Sequence, residues 1–526
     1  MHVEQSRRDQ GWLYVSAVVG LSVLLTAWLA SMIRWGESNR VIAAIWTLGF
    51  FCIVLNLSYN FVITLCSFFV KSKSVPEATL SEVPATAILY VVKNEEAGLL
   101  KLMEETFAGN SAENIDLWLI SNSDNAQHKE QERRMVSSLK KRFGEECVHY
   151  YVPANNPTGR KHLALQKWSA DHQEYRYIMV CDADTVLHSG MLLKLIAKAE
   201  HPLNKDIMLF QSHMEMRRSV TRFARFIEPG QNLVERAFRR VNSHVFGRSP
   251  YYGHSALIRR KEFAKLAVPD YALSHDLWET AAMDLARTRA VLCEDATSEE
   301  MLPVNYLEDR ARTRRWILGT LEATPLLFKR GLSLGTRFYL FLPLYMYYVQ
   351  PVFLCWILLG LLAHNSISGS AIAVQPLIIG GATGLDLEMG GMCLATLSVV
   401  WLYRLPFARS VPEFFALARE ILLGTGVIVN NILYVSWYIV ASPWSQRGWR
   451  PMKKEGVENI SFRVCWNGML PSTLIGGVLL AVGLCVAPAW CLLASPILVS
   501  FLLGSAAVYW TSKSALTTQA VIQLSP

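Results

Sequence analysis

The stretch Tyr177-Ile178-Met179-Val180-Cys181-Asp182-Ala183-Asp184 decides how this chain is read. Its first five residues form an apolar run of the kind expected for a strand buried on both faces. Two carboxylates, one residue apart, then stand at the C-terminal end of that strand. In an open α/β sheet, ligands collect in the crevice beyond the carboxyl ends of the strands. Paired acids there can share one hard divalent cation, and such a cation can bridge a diphosphate and neutralise a leaving group. A lone D-x-D is ordinarily a pair of solvated loop acids. The strongly apolar strand before it shifts the reading to a metal and diphosphate site made by Asp182 and Asp184.

Outward from this point the pattern repeats. Thr86–Val92 (TAILYVV), Ile115–Ser121 (IDLWLIS) and Val148–Val152 read as further buried strands. Between the strands, Glu95–Phe107, Asn125–Arg142 and Arg160–Asp171 carry helical spacing. The alternation predicts an α/β domain with a largely parallel sheet. No G-x-G-x-x-G follows the first strand, and G-x-x-x-x-G-K-[ST], H-E-x-x-H and G-x-S-x-G do not occur. Dehydrogenase, ATPase, metalloprotease and hydrolase readings therefore lose their signatures.

Charge is concentrated around this core. Lys71–Arg337 holds 72 of the charged residues in 267 positions, against 22 in the other 259. This describes one globular domain between two membrane blocks, and it excludes a wholly soluble, disordered or fibrous chain. The expected division is a membrane hairpin at 1–75, a cytosolic domain at 76–336 and a second membrane domain at 337–526. The ten cysteines form no C-x-x-C, so they suggest neither zinc nor a disulfide framework. Basic residues do not interleave with aromatics in a stripe, which argues against nucleic acid as a partner.

Trp12–Ile33 and Val41–Val70 are long enough to span a bilayer. Arg7, Arg8, Lys71 and Lys73 flank them, which places the N-terminus and the central domain in the cytosol. The first span is too long for a signal-peptide core and lacks a cleavage site, so it is expected to be retained. Phe338–Ala363, Leu385–Tyr403, Trp466–Leu493 and Ser495–Trp510 complete six expected spans. Phe414–Val440 is read as interfacial or re-entrant, because a crossing would send Arg447, Arg450, Lys453, Lys454 and Arg463 outside.

Three further stretches carry chemistry. Ser274-His275-Asp276 opens a helical run, where Asp276 is either an N-cap or a general base held at a helix N-terminus. Arg312-Thr313-Arg314-Arg315-Trp316 lies on an amphipathic helix starting near Asn305. Arg312 and Arg315 could grip phosphate oxygens while Trp316 offers a stacking face for a sugar. The alternative is a basic helix docked on anionic lipid. Arg217–Arg240 holds seven arginines and two glutamates and reads as a solvated or membrane-facing surface. In Tyr251-Tyr252-Gly253-His254-Ser255-Ala256, a lone histidine reads first as a structural residue.

A strand-end D-x-D, a later acid and R-x-x-R-W ahead of more spans resembles the processive family 2 glycosyltransferases, which include cellulose, chitin and hyaluronan synthases. Tyr251–Ile258 (YYGHSALI), Leu273–Met283 (LSHDLWETAAM) and Glu299–Trp316 (EEMLPVNYLEDRARTRRW) look like the branch that builds osmoregulated periplasmic glucans. The likeness runs from about Thr86 to the final spans and includes Trp444-Ser445-Gln446-Arg447. It implies a GT-A cytosolic domain inserted in a multi-pass α-helical domain of a bacterial inner membrane. It also implies a UDP-sugar donor, Mg2+ or Mn2+ as cofactor, and a glucan or lipid-linked acceptor. Membrane lipids, and a periplasmic partner or acyl carrier protein, are further implied partners.

Residue by residue, the resemblance makes Asp276 the base and Asp182 and Asp184 the metal and diphosphate ligands. Asn94, Glu95, Asp124, Arg160, Lys161, Arg312 and Arg315 would contact the donor. Tyr252, Gly253, His254 and Trp316 would contact the acceptor. The chain departs from the family pattern at Tyr90–Glu95, which lacks the usual proline. It departs again at Ser121-Asn122-Ser123, where an amide replaces an acid, and at Pro157–Lys161, where the lysine is displaced. Two rivals stand beside polymer synthesis: transfer of one sugar to a lipid, and a non-catalytic nucleotide-sugar-binding scaffold.

Overall fold

The computed structural model describes residues 2–33, 35, 38–95, 98–154, 156, 159–217, 220–362, 405–445, 460–486, 491 and 494–515. Eight strands build one sheet: β1 (Thr86–Val92), β2 (Ile115–Ser121), β3 (Val148–Tyr151), β4 (Tyr177–Cys181), β5 (Val186–Leu187), β6 (Ile207–Met216), β7 (Ala256–Arg259) and β8 (Arg289–Glu300). Their order across the sheet is β3-β2-β1-β4-β7-β6-β8-β5. The apolar runs become β1, β2 and β4 at the expected bounds. The edge strand β3 stops one residue early, where Val152 turns out to solvent.

Strands β3, β2, β1 and β4 are parallel, as is the β6–β8 pair. The expectation of a largely parallel sheet is corrected by β7, which runs antiparallel between β4 and β6, and by β5, antiparallel to β8. Strand direction depends on where the chain re-enters the sheet, and no local pattern in Ala256–Arg259 carries that information.

Both faces of the sheet are dry. Ile88, Tyr90, Leu117, Leu119 and Met179 pack with Met103, Phe107, Leu139 and Leu195 on one side. Leu89, Val91, Trp118, Ile120 and Val180 pack with Ala164, Leu165 and Trp168 on the other. The helix Leu99–Asn110 begins four residues later than expected. Asn94 takes a left-handed conformation (φ 53°), and its N–H donates to Ser123 Oγ at 2.7 Å, so the chain after β1 turns across β2 before it coils. The strap from the membrane hairpin to β1 is tied down by Lys198. Its fully buried ammonium meets Glu77 at 2.6 Å, Asp295 at 2.9 Å and the Val75 carbonyl at 3.2 Å.

Four described helices are long and apolar enough to cross a membrane: Gln10–Ser31, Arg40–Phe69, Leu334–Gly360 and Phe462–Cys485. Ser495–Thr511, expected as a sixth span, is a shorter apolar helix of 17 residues. Leu385–Tyr403 lies outside the described residues. The ambiguous segment is two helices, Val411–Val427 and Asn431–Val440, joined by a 3₁₀ turn at Ile428–Asn430. Asn430 is buried at that break and donates to Ser500 Oγ at 2.8 Å, which ties the broken backbone to a neighbouring helix.

Candidate active site

The antiparallel entry of β7 assembles the site. Val180 of β4 pairs with Ala256 of β7, and Ser255 N–H donates to the Val180 carbonyl at 2.7 Å. Tyr252, Gly253 and His254 are thereby delivered to the strand end that carries Asp182 and Asp184. Gln211 of β6 clamps this turn, donating to the His254 and Ser255 carbonyls at 3.0 and 2.9 Å and accepting from Tyr252 N–H at 3.2 Å.

Lys161, at the start of the helix Lys161–Asp171, pairs through its ammonium with Asp182 Oδ1 and donates to the Gly253 carbonyl at 2.8 Å. His254 Nε2 lies 4.0 Å from Asp182 Oδ2, and its Nδ1 lies 3.1 Å from Glu300 Oε1 at the end of β8. Burial pushes the Glu300 carboxyl up to about 7, against the pull of His254 and with Asp184 adding repulsion. Asp182 and Asp184 form an oxygen donor pair, which is the chemistry a hard divalent ion takes. Among the described residues no three His, Cys, Asp or Glu side chains converge as a protein-only cage. A pair of carboxylates suits a divalent ion that takes further ligands from substrate phosphates.

Gly253 has φ +88°, a conformation that side-chain-bearing residues rarely adopt. A Cβ there would come within 3.6 Å of Asp276 Cβ and 3.7 Å of the His275 ring, so the glycine turn packs directly beside the His275-Asp276 segment. The helix His275–Leu285 is preceded by Ser274 as N-cap, which makes Asp276 the second helical residue and corrects the N-cap expectation. Its carboxylate still feels the N–H groups of Asp276 and Leu277, which favour the ionised form. Burial raises the Asp276 carboxyl above the usual carboxylate value, against His275, those two N–H groups and Lys161.

The helix Tyr306–Ala323 closes this side. Gly319 packs so tightly on Ser274 that an added Cβ would overlap Ser274 Oγ and stand 2.9 Å from its backbone nitrogen. Arg312 donates to Asp309 at 2.7 Å and lays its guanidinium 4.5 Å over the Trp316 ring, which is half exposed. Arg315 is half-buried on the same helix. Tyr347, on the span Leu334–Gly360, lies within electrostatic reach of Arg312, Asp309 and Asp276. Arg310 anchors the helix to the membrane elements, donating to the Gly468 carbonyl at 2.8 Å and sitting 4.2 Å over Tyr434.

The expected donor residues Asn94, Glu95 and Asp124 gather beyond β1 and β2. Asn94 donates to Asp124 at 2.8 Å, holding that carboxyl below its usual value, and Lys93 lies 3.6 Å from it. Glu95 is half-buried in the same loop. Asn122, which stands where the family pattern has an acid, accepts from Asn156 at 3.0 Å. Arg160 directly precedes the Lys161 helix, with its N–H donating to Asn156 Oδ1 at 3.2 Å. Pro157 and Thr158 lie outside the described residues.

Sequence reasoning missed three groups. The arginine run is not a solvated surface: Arg239 sits 3.4 Å over the Tyr252 ring and pairs with buried Glu235, while Arg236 and Arg240 pair with Glu413 and Glu294. A buried pair, His275–Glu279 (2.7 Å), underlies Asp276. Glu300 joins through His254. The i,i+4 spacings of His275 with Glu279 and of Glu235 with Arg239 were visible in the sequence, whereas the contacts of Arg236, Arg240 and His254 cross between elements.

The mixed sheet with acids at the end of a central strand is a GT-A-like fold. Residues 177–411, under half of the chain, match the family described as glycosyl transferase family group 2. It is 26% identical over 342 residues to a glucans biosynthesis glucosyltransferase H of Bradyrhizobium diazoefficiens, covering 60% of this chain and 45% of that one. It is 27% identical over 299 residues to the protein of the same name from Caulobacter vibrioides, covering 53% and 44%. The chain thus spans less than half the length of these two relatives. A solved mannosyltransferase of Pyrobaculum calidifontis, in complex with GDP-Man and Mn2+, is similar at 12% identity and a TM-score of 0.48, over 77% of this chain and 99% of that one.

Proposed function

We propose that the protein is a membrane-embedded, inverting hexosyltransferase. It moves glucose from UDP-glucose to the hydroxyl of a growing β-glucan at the cytosolic face of a bacterial inner membrane, and its spans pass the product across. The names of its relatives and its match to glycosyl transferase family group 2 support the chemistry, and the four apolar helices support the membrane setting. The observation that carries the reading is the convergence at Gly253, whose turn packs against Asp276 and His275 and whose carbonyl accepts from Lys161, the partner of Asp182.

In this reading Asp276 accepts the proton of the acceptor hydroxyl while that oxygen attacks the anomeric carbon. The bond from that carbon to the diphosphate oxygen breaks on the opposite face, and UDP leaves with the electron pair. Such a base contributes roughly 10²–10⁴-fold, and the burial that raises the Asp276 carboxyl strengthens it as a base. Asp182 and Asp184 would hold Mg2+ or Mn2+, whose chemistry when bound is to neutralise charge on the departing diphosphate. Arg312 and Arg315 would steady the phosphates, and Trp316, Tyr252 and His254 the acceptor sugar.

The test is UDP release by detergent-purified protein with Mg2+ across a panel of UDP-sugars, beside Asp276→Asn. Release with one donor, abolished by the substitution, supports the reading. Release that survives the substitution removes Asp276 as base. UDP binding without release under any donor and acceptor overturns the transferase.

A further inference from the structure

Beneath Asp276 lies a group of buried polar side chains that the transfer chemistry leaves unused. Glu279 is fully buried one turn along the same helix, and its Oε2 meets His275 Nδ1 at 2.7 Å. Its Oε1, the Tyr251 hydroxyl and both ring nitrogens of His162 are buried without a hydrogen-bond partner among the described residues. The His162 and His275 rings stack at 6.1 Å and 25°, and Tyr251 meets the His275 ring edge-on at 6.1 Å.

This arrangement is costly as architecture. A buried carboxylate destabilises a protein unless it is well paired, and a cation in the first turn of a helix opposes the macrodipole. Apolar residues at 275 and 279 would avoid both costs. What the pair does achieve is placement: His275 and Asp276 are neighbours on the first helical turn, and the His275 ring and Asp276 Cβ both lie against the Gly253 turn.

We infer that His275 and Glu279 form a positioning pair for Asp276, in which Glu279 holds His275 as an imidazolium and that cation keeps the base ionised and aimed at the acceptor. The inference rests on the reading of Asp276 as the base. The surrounding charges agree with it. Burial alone would push His275 down, but the Glu279 carboxylate carries it above its ordinary value. Lys161, from the facing helix, opposes the His275 charge and helps ionise Asp276. His162 is pushed down to about 4 by burial and by His275, so it stays neutral against the ring it stacks on. Tyr251 faces Glu279, Asp182 and Asp276 and bears no charge at neutral pH.

The experiment is the pH dependence of kcat/KM for UDP release by the full chain, comparing wild type with Glu279→Gln, His275→Gln and the double variant. Histidine-selective 15N NMR of the same proteins runs beside it, with the His275 signal assigned by its loss in His275→Gln. Glu279→Gln keeps the hydrogen bond but removes the charge. The expected result is an acid limb displaced upward by about one unit, read as a loss that is small at pH 8.5, grows as pH falls and approaches tenfold where the wild-type profile is itself falling with unit slope. The donor KM should not change, and the double variant should match the single ones. In NMR, His275 should be an imidazolium at pH 7 in wild type and neutral in Glu279→Gln. If Glu279→Gln does not fold, His275→Gln carries the same displaced limb. An equal loss at every pH, or a neutral His275 in wild type, overturns the pair while leaving the transferase standing. A wild type that releases no UDP overturns the base itself, and with it the role given to the pair.

Discussion

Replacing Gly319 by alanine should disable the site without touching any residue that meets substrate. Gly319 lies on the helix that carries Arg312 and Trp316, where it crosses the segment leading into Asp276. An alanine Cβ would overlap Ser274 Oγ and stand 2.7 Å from Ser274 Cβ and 2.9 Å from its backbone nitrogen. Carbon contacts relax at about 3.5–4.0 Å, so helix and segment must separate by about 1 Å. Overpacking of this kind costs about 1–3 kcal/mol in stability, or a fall in Tm of roughly 2–4 °C per kcal/mol. A displacement of about 1 Å between reacting groups costs about 10²-fold in rate. The expected outcome is therefore a modest loss of Tm with a large loss of kcat in the UDP-release assay. Ser274→Gly in the same chain removes two of the three clashing atoms and should recover much of the activity, a coupling that independent sites would not show. Gly477→Ala, where no atom lies within 4 Å of the new Cβ, serves as the control and should be near neutral. Gly319→Ala protein that turns over within about threefold of wild type, or a double variant no better than the single one, would refute the claim that this crossing sets the base. The threefold margin is about 0.65 kcal/mol at the barrier.

Further outcomes follow from other contacts. Replacing both Glu77→Gln and Asp295→Asn strands the buried Lys198 charge and should cost about 3–5 kcal/mol in denaturant melts. Lys198→Met should cost less, because the two freed carboxylates are partly exposed and can hydrate. Burial lifts the Glu235 carboxyl to about 7 from 4.5, more than Arg239 lowers it. The folded state therefore binds the extra proton between those values, and stability should decline as pH rises through that window. Glu235→Gln should flatten that decline in thermal melts taken from pH 4.5 to 8. Chelation should abolish UDP release, Mg2+ or Mn2+ should restore it, and Asp184→Asn should lose that response.

Some of this was legible in the residues themselves. The strands TAILYVV, IDLWLIS and YIMVC stand out because a sheet covered on both faces needs uninterrupted apolar runs, and those runs are local. The helix start at Leu99 was misplaced because Asn94 answers to Ser123 across the sheet and not to its own neighbours. The same holds for the arginine run. Arg236, Arg239 and Arg240 look like a wet surface until Glu413 and Glu294 arrive from 177 and 54 positions away and Glu235, four residues before Arg239, is buried with it.

Sequence alone determined that an α/β domain sits between apolar helices, and that paired acids stand at the end of a buried strand. Both follow from hydrophobic burial and side-chain period, which act over a few residues. Tertiary structure decided that β7 runs antiparallel beside β4, and so brings Gly253 to Asp182 and opposite Asp276. It also decided that Lys161 pairs with Asp182, and that Gly319 locks the base segment beneath the arginine helix. Those placements depend on chain re-entry and on packing between elements up to about a hundred residues apart, and no local pattern encodes them.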